Sequence, residues 1–174
     1  MRLRVAMIYM SSTSLSSVPN IGDKAPDFEL PDVDQKWRKL DEFKDKKTII
    51  AFFPAAESPV CTVEMCAFRD QLDELRDYGA NVVAISVDSP HANKAFTQSR
   101  RLNFPVLSDY RRDTIKKYGI VMSKLGTMEG YNAAKRSVFI LDENGTVIYR
   151  WVSDNPTIEP DYKEIKGILQ NARK

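Results

Sequence analysis

Cys61 is the residue whose position in the sequence most clearly points to chemistry. Residues 48–53 are a β-branched and aromatic run that predicts a strand buried on both faces, and Pro54 ends it. Ser58 and Pro59 predict a helix start, because a hydroxyl side chain caps the helix and proline suits its first position. Cys61 then lies in the first turn, where unpaired N–H groups and the helix dipole favour a thiolate. We interpret Cys61 as a nucleophile rather than as a small apolar filler.

Cys66 follows five residues later on the same predicted helix. On an ideal helix the two Cα atoms are roughly 8–9 Å apart, given a rise of 1.5 Å and about 100° per residue. A disulfide tolerates at most about 7 Å between Cα atoms. Two interpretations remain open. Either Cys66 is an unpaired core thiol, or it pairs with Cys61 after the first helical turns unwind, which couples oxidation to local unfolding.

The surrounding elements alternate between strands and helices. Apolar residues spaced by three and four after Cys61 predict one amphipathic helix that Gly79 ends. Asn144-Gly145 lies between two apolar runs and predicts a β-hairpin. The segment 122–134 has no clear period, and we predict a mobile loop near the pocket or an interface. Further strands are predicted at 81–87 and 104–107, helices at 90–101, 113–118 and 162–169, and an amino-terminal hairpin at 28–30 and 37–40. This order predicts an α/β fold with a mixed sheet.

Composition excludes several classes of protein. The chain has 174 residues, 43% hydrophobic and 29% charged, with a formal net charge of +2. The length suits one domain, and the balanced charge argues against a nucleic-acid binder. No apolar run reaches the roughly 18–20 residues of a membrane span. Two cysteines and one histidine argue against a structural zinc site and a disulfide-rich scaffold. We expect no cofactor, metal, nucleic acid or membrane partner.

The amino terminus is predicted to be a flexible extension covering residues 1–20, ahead of a single domain at 21–174. Two arginines precede the apolar residues 5–10, but this run is too short for a secretory signal. We therefore expect a cytoplasmic protein, in which cysteines stay reduced unless they perform redox chemistry.

Two segments around Cys61 resemble a known family. Residues 54–61, Pro-Ala-Ala-Glu-Ser-Pro-Val-Cys, resemble the peroxiredoxin motif Pro-x-x-x-Thr/Ser-x-x-Cys. Residues 61–70, Cys-Thr-Val-Glu-Met-Cys-Ala-Phe-Arg-Asp, resemble the bacterioferritin-comigratory, or Q-type, branch. The likeness continues at 21–30 and 136–145, and so covers the chain from about residue 21 to its end. Val60 departs from the glycine that is common in this branch.

The resemblance implies a thioredoxin-like fold and a thiol-dependent peroxidase acting on hydrogen peroxide and organic hydroperoxides. Cys61 is then the peroxidatic cysteine, which attacks a peroxide oxygen as thiolate and becomes sulfenic acid. Cys66 is the resolving cysteine and forms an intramolecular disulfide with it. A thioredoxin-like or other dithiol reductant then restores both thiols. The family also implies a monomer or weak homodimer.

The same resemblance assigns supporting roles. The Ser58 hydroxyl and the N–H groups at the helix start hold the peroxide oxygens, and Pro54 shields the pocket. Arg136 stabilises the thiolate and the charge developing on the O–O bond. Glu64 orients an arginine. The alternative for Arg136 is a surface strand residue in a salt bridge.

Two alternative functions remain open. One is a single-cysteine peroxidase in which Cys66 is structural and a small thiol resolves Cys61. The other is a non-catalytic redox sensor or holdase that uses the same oxidation as a conformational switch.

Overall fold

The computed structural model describes residues 16–172 of the chain. The strands are β1 (Glu29–Pro31), β2 (Trp37–Lys39), β3 (Lys47–Phe52), β4 (Ala80–Ser86), β5 (Val106–Ser108), β6 (Val121–Leu125), β7 (Met128–Ala134), β8 (Arg136–Leu141) and β9 (Val147–Ser153). The α-helices are α1 (Pro59–Asp70), α2 (Leu72–Asp77), α3 (Pro90–Arg100), α4 (Asp113–Lys117) and α5 (Tyr162–Asn171), and Leu40–Phe43 form a short 3-10 helix.

A five-stranded mixed sheet forms the centre of the fold, in the order β5-β4-β3-β8-β9. The central strand β3 runs parallel to β4 and antiparallel to β8, so that Ala51 lies between Ala84 and Val138. β1 and β2 form a separate antiparallel hairpin. The predicted α/β class, the mixed sheet and the amino-terminal hairpin are therefore confirmed.

Strand β3 separates two apolar cores. Its successive side chains point to opposite faces of the sheet. Ile49 and Ala51 pack with residues of α1, α2, α3 and α5, while Ile50 and Phe52 pack with α4, β7 and the amino-terminal hairpin. Burial on both faces explains the unbroken apolar run in the sequence, and it holds the end of β3 firmly beside the start of α1.

The prediction of a single helix after Cys61 is wrong in one respect, because the structure has two helices there. α1 ends at Asp70 and α2 begins at Leu72. At the junction the Gln71 side-chain amide donates to the Ala67 carbonyl at 3.1 Å, which satisfies a carbonyl of the last turn of α1. The apolar positions of both helices still face one core. The predicted apolar face is therefore confirmed, and the break between the two helices is the difference.

The mobile loop predicted for 122–134 is instead the antiparallel hairpin of β6 and β7. Most of its side chains are exposed or half-buried on both faces. The sequence therefore lacks the alternation of apolar and polar residues by which strands are recognised. Its location is as predicted, since the tip of the hairpin lines the cavity beside Cys61.

Most of the predicted amino-terminal extension, residues 1–15, lies outside the described residues. Its last five residues pack on the domain. The Arg150 guanidinium donates to the carbonyls of Val18 and Pro19, at 3.4 and 3.2 Å. Within residues 16–172, no helix combines the length and the apolar character that crossing a membrane requires.

Candidate active site

Cys61 lies in the first turn of α1, at the third helical position, as predicted. Its side chain is fully buried. Strand β3 ends just before Pro54, which is also buried, and a short loop leads from there to Ser58 at the N-cap. The sulfur therefore sits at the end of the helix where the dipole favours negative charge.

Ser58 caps α1 differently from the prediction. It occupies the N-cap position with extended backbone angles, but its hydroxyl accepts no hydrogen bond from the first turn. Its backbone carbonyl accepts the first bond of the helix instead, from the Thr62 N–H at 2.9 Å. Ser58 lines the cavity beside the site, so its hydroxyl is not committed to the helix and is available to a ligand.

Arg136, the first residue of β8, reaches the sulfur from the neighbouring strand. Its Nη2 donates to Cys61 Sγ at 3.3 Å, and its side chain is buried. The interpretation of Arg136 as a surface residue is therefore wrong. Burial lowers the pKa of Arg136, but the negative charge of Glu64 and the neighbouring Cys61 outweigh this and leave the pKa raised. A permanent cation beside the sulfur favours its ionised form.

Two further groups hold the Arg136 guanidinium in place. Its Nη1 donates to the Glu64 carboxylate, and its Nε and Nη2 donate to the Pro156 carbonyl at 3.2 and 2.7 Å. Glu64 belongs to α1 and Pro156 to the loop after β9, so two segments besides its own strand β8 fix the guanidinium. The predicted role of Glu64 in orienting an arginine agrees with this geometry. Pro156 was missed, although Asn155-Pro156 is a recognisable turn signal.

Glu64 is fully buried, and burial is the largest reason why its pKa is raised to about 7. The negative charge of Glu159, in the loop before α5, raises it further, while the charge and the hydrogen bond of Arg136 oppose the rise. Among the described residues, none hydrogen-bonds its second oxygen, Oε1. Glu64 therefore changes its charge near neutral pH, next to the guanidinium that contacts Cys61.

This shift predicts a pH-dependent stability. In the unfolded chain Glu64 loses its proton near pH 4.5, but in the folded chain only near pH 7. Between these values the folded state holds more protons, so the stability contributed by Glu64 is lost as pH rises. Compared with Glu64→Gln, wild-type protein should lose up to about 3 kcal/mol of unfolding free energy over this range. Urea unfolding at several pH values measures the difference, and a constant difference across the range would contradict the pKa assignment.

The loop between β3 and α1 is anchored by residues that sequence reasoning missed. The Ala56 N–H donates to Asp88 Oδ2 at 2.8 Å, just after β4. The Glu57 carboxylate, on a residue with φ of +60°, accepts from Ser99 and Arg100 of α3. A left-handed conformation is rare for a residue other than glycine and needs support from its surroundings. These contacts fix the direction in which α1 starts, and with it the position of the sulfur.

A cavity of about 580 Å³ opens beside these residues. Arg136, Ser58 and Pro54 line it, together with the first turn of α1, the tip of the β6–β7 hairpin and the loop at Pro156. The sequence-predicted residues Pro54, Ser58, Cys61, Glu64 and Arg136 are therefore brought together at one site.

Cys66 lies further along α1 and is half-buried. Both cysteines are free thiols on an intact helix, as the estimate from ideal helix geometry requires. Arg69 lies one turn later on α1. Its pKa is raised mainly by a hydrogen bond to Asp70, and the nearby Cys66 contributes to the rise. Within the described residues, no three His, Cys, Asp or Glu side chains are grouped so that they could hold a metal ion.

Solved structures define the class of this fold. Peroxidoxin BcpB from Mycobacterium tuberculosis matches with a TM-score of 0.80 and 30% identity, over 90% of this chain and 99% of that one. A peroxiredoxin-like protein from Aquifex aeolicus matches with a TM-score of 0.79 and 29% identity, over 90% of each chain. The predicted thioredoxin-like fold is confirmed.

The chain belongs to the AhpC/TSA family, whose model matches residues 21–150. Peroxiredoxin Bcp of Escherichia coli is 35% identical over 126 residues, covering 72% of this chain and 81% of that protein. Chloroplastic peroxiredoxin Q of Gentiana triflora is 37% identical over 139 residues, or 80% of this chain, which spans only 62% of that protein. The predicted resemblance to the Q-type branch is confirmed.

Proposed function

We propose that this chain is a thiol-dependent peroxidase that reduces hydroperoxides. The observation that carries the proposal is the 3.3 Å contact from Arg136 Nη2 to the sulfur of Cys61, in the first turn of α1. A helix start and a fixed guanidinium both favour thiolate, and thiolate is the nucleophilic form of cysteine. The names of the relatives, all peroxiredoxins, support the same activity.

The first step is attack of the Cys61 thiolate on one oxygen of the hydroperoxide. An S–O bond forms and the O–O bond breaks, and the departing oxygen takes a proton to leave as water or an alcohol. Sulfur loses two electrons and becomes sulfenic acid. Arg136 lies where it can stabilise negative charge on both the sulfur and the departing oxygen. In this proposal the Ser58 hydroxyl, which makes no hydrogen bond to the first turn of the helix, holds a peroxide oxygen and Pro54 shields the pocket; both residues line the cavity.

The second step is attack of the Cys66 thiolate on the sulfenic sulfur. An S–S bond forms, hydroxide leaves and is protonated to water, and a dithiol later reduces the disulfide by exchange. Both cysteines lie on α1 with Glu64 between them, so the unwinding that this step needs must also move Glu64. Because Glu64 is paired with the buried Arg136, disturbing that ion pair is part of the cost of unwinding the helix.

The Cys66→Ser variant separates the two-cysteine scheme from a single-cysteine peroxidase. We expect it to consume about one equivalent of hydrogen peroxide and then to stop, because no disulfide forms for a dithiol to reduce. Wild-type protein should turn over repeatedly with the same dithiol. Peroxide consumption measured with and without a thioredoxin-type reductant checks this. Undiminished repeated turnover by the variant would show that Cys66 is structural.

The partner and the location follow from the same chemistry. A dithiol protein of the thioredoxin type is the proposed reductant, because it can attack a disulfide and then release itself by forming its own. We propose a cytoplasmic location, because cytoplasmic reductants can return oxidised cysteines to thiols. The Gentiana triflora relative is named as chloroplastic. The oligomeric state of this chain, a monomer or a weak homodimer, stays a prediction.

A further inference from the structure

Both ends of the segment that carries the two cysteines are tied to one residue of α3. Before Cys61, the Glu57 carboxylate accepts from the Arg100 side chain, whose Nε lies 3.2 Å from Glu57 Oε2. After Cys66, Arg69 Nη1 donates to the backbone carbonyl of the same Arg100 at 2.5 Å. The first contact uses the side chain of Arg100 and the second its backbone, so a substitution can remove either one without the other.

The end of α3 is a suitable support for a cation. Arg100 is the last residue of this helix, and the carbonyls of a last helical turn lack partners within the helix. The helix dipole also makes that end negative, so it attracts the guanidinium of Arg69. α3 itself is held on the sheet by the buried Asn93, whose Oδ1 accepts from Ser86 Oγ of β4 at 3.0 Å. The anchor for Arg69 is therefore part of the rigid fold.

The Arg69 guanidinium also lies beside Cys66. Arg69 follows Cys66 by three residues on α1, a spacing that places both side chains on one face of the helix, and the two side chains are near enough to interact. Arg69 Nε donates to Asp70 Oδ1 at 2.8 Å, which leaves the guanidinium fixed between α3 and Cys66. Arg69 is not among the described residues that line the cavity beside Cys61. Its position therefore concerns the second step of the reaction and not the first.

Unwinding of α1 brings the two sulfurs together only if the far end of the helix stays in place. A helix that came loose at both ends would let Cys66 move away from Cys61, and the concentration of one sulfur near the other would fall. A tether just beyond Cys66 confines the unwinding to the turns between the two cysteines. Such restraint speeds an intramolecular reaction, because less freedom of movement is lost on the way to the transition state.

We propose that Arg69 is a positioning residue for disulfide formation, which holds Cys66 against the end of α3 while the first turns of α1 unwind. This inference rests on the proposed function and deepens it. The competing reaction is a second hydroperoxide that oxidises the Cys61 sulfenic acid to sulfinic acid, and its own O–O bond breaks to release water or an alcohol. Rapid attack by Cys66 prevents this second oxidation. Arg69 therefore protects the enzyme from inactivation by its own substrate.

The test separates the two steps in single turnovers with hydrogen peroxide and no reductant, quenched at intervals and analysed by mass spectrometry. We expect Arg69→Met to consume peroxide within about twofold of the wild-type rate but to form the disulfide roughly tenfold more slowly. In excess peroxide, a larger share of Cys61 should reach sulfinic acid. Arg69→Lys keeps a charge and a donor for the Arg100 carbonyl, so it should restore part of the rate. Arg76→Met is the matched control, because Arg76 is an exposed arginine of α2 that pairs with Asp73 at 3.6 Å; it should leave both steps unchanged.

Several outcomes would overturn the inference. Disulfide formation at the wild-type rate in Arg69→Met would show that the contact with α3 does not position Cys66, and a faster rate would show that it opposes unwinding. An equal loss in both steps would mean that Arg69 supports the site as a whole. Wild-type protein that consumes peroxide without forming a disulfide would also exclude this role. Failure of the proposed function is distinct, since wild-type protein would then consume no peroxide.

Discussion

Replacement of Cys61 by serine is expected to reduce hydroperoxide consumption to the uncatalysed rate. The hydroxyl that replaces the thiol can still accept a hydrogen bond from Arg136, so the buried guanidinium keeps a partner. A serine hydroxyl is not ionised at neutral pH without a general base, and it lacks the sulfur that carries the oxidation. The loss should therefore be complete for both hydrogen peroxide and organic hydroperoxides. Peroxide remaining after incubation with protein and dithiol measures it.

The Cys66→Ser variant is the control for this loss, because it removes the other thiol of the same helix. It should retain a single turnover, whereas Cys61→Ser should show none. Thermal unfolding of both variants checks that each is folded. Residual turnover by Cys61→Ser, at a rate above that of buffer, would mean that the reactive group lies elsewhere in the chain.

Replacement of Arg136 by methionine is expected to lower the rate constant for the reaction with peroxide by about 10²–10³. Methionine nearly fills the space of the arginine stem, but it supplies neither the positive charge nor the donor that reaches Cys61 Sγ. The rate falls because both the thiolate and the departing oxygen lose their stabilising cation. Stopped-flow measurement of the second-order rate constant, with peroxide in excess, detects this effect separately from the later disulfide step.

Stability must be separated from catalysis in this variant. Removal of Arg136 leaves Glu64 buried without its ion-pair partner, which typically costs about 3–5 kcal/mol. The Arg136→Met/Glu64→Gln double variant relieves that cost, and it should recover stability without recovering the rate. Arg136→Lys keeps a charge but cannot reach Glu64, Cys61 and Pro156 together, so we expect an intermediate rate. If the double variant reacted with peroxide as fast as wild type, Arg136 would have no role in the reaction.

The sequence was sufficient for features that depend on local signals. The strand before Pro54, the helix start at Ser58 and Pro59, and the hairpin at Gly145 each follow from short-range rules of capping, turn geometry and periodicity. Cys61 could therefore be placed at a helix start without any tertiary information. The five-residue spacing to Cys66 likewise determined that the two thiols stay apart while the helix is intact.

Features set by tertiary contacts could not be found in this way. The Pro156 carbonyl and the Asp88 carboxylate belong to loops distant in sequence from Cys61, and nothing near them in the sequence indicates what they contact. The raised pKa of Glu64 depends on burial between elements. The capping pattern predicts that the Ser58 hydroxyl accepts a hydrogen bond from the first turn of α1, but in this fold it accepts none and Ser58 lines the cavity.

The β6–β7 hairpin illustrates the same limit on a larger scale. Its strands are exposed or half-buried on both faces apart from a few positions such as Met122 and Ala133. No alternation of apolar and polar residues therefore marks them in the sequence. The base of the hairpin packs on the core at Ala133 and Ala134, and pairing between the two strands continues from there to the exposed tip. The residues that form the outer part of the cavity were consequently the least visible in the sequence.

The ionisation state of the Cys61 sulfur is the most direct test of this mechanism. Thiolate absorbs in the ultraviolet where thiol does not, and in the Cys66→Ser variant Cys61 is the remaining cysteine of the chain. We predict that Arg136→Met lowers the thiolate absorbance of this variant at a fixed neutral pH, because the guanidinium is the cation that contacts the sulfur. Equal absorbance with and without Arg136 would contradict the proposal that the guanidinium holds Cys61 ready to attack a hydroperoxide.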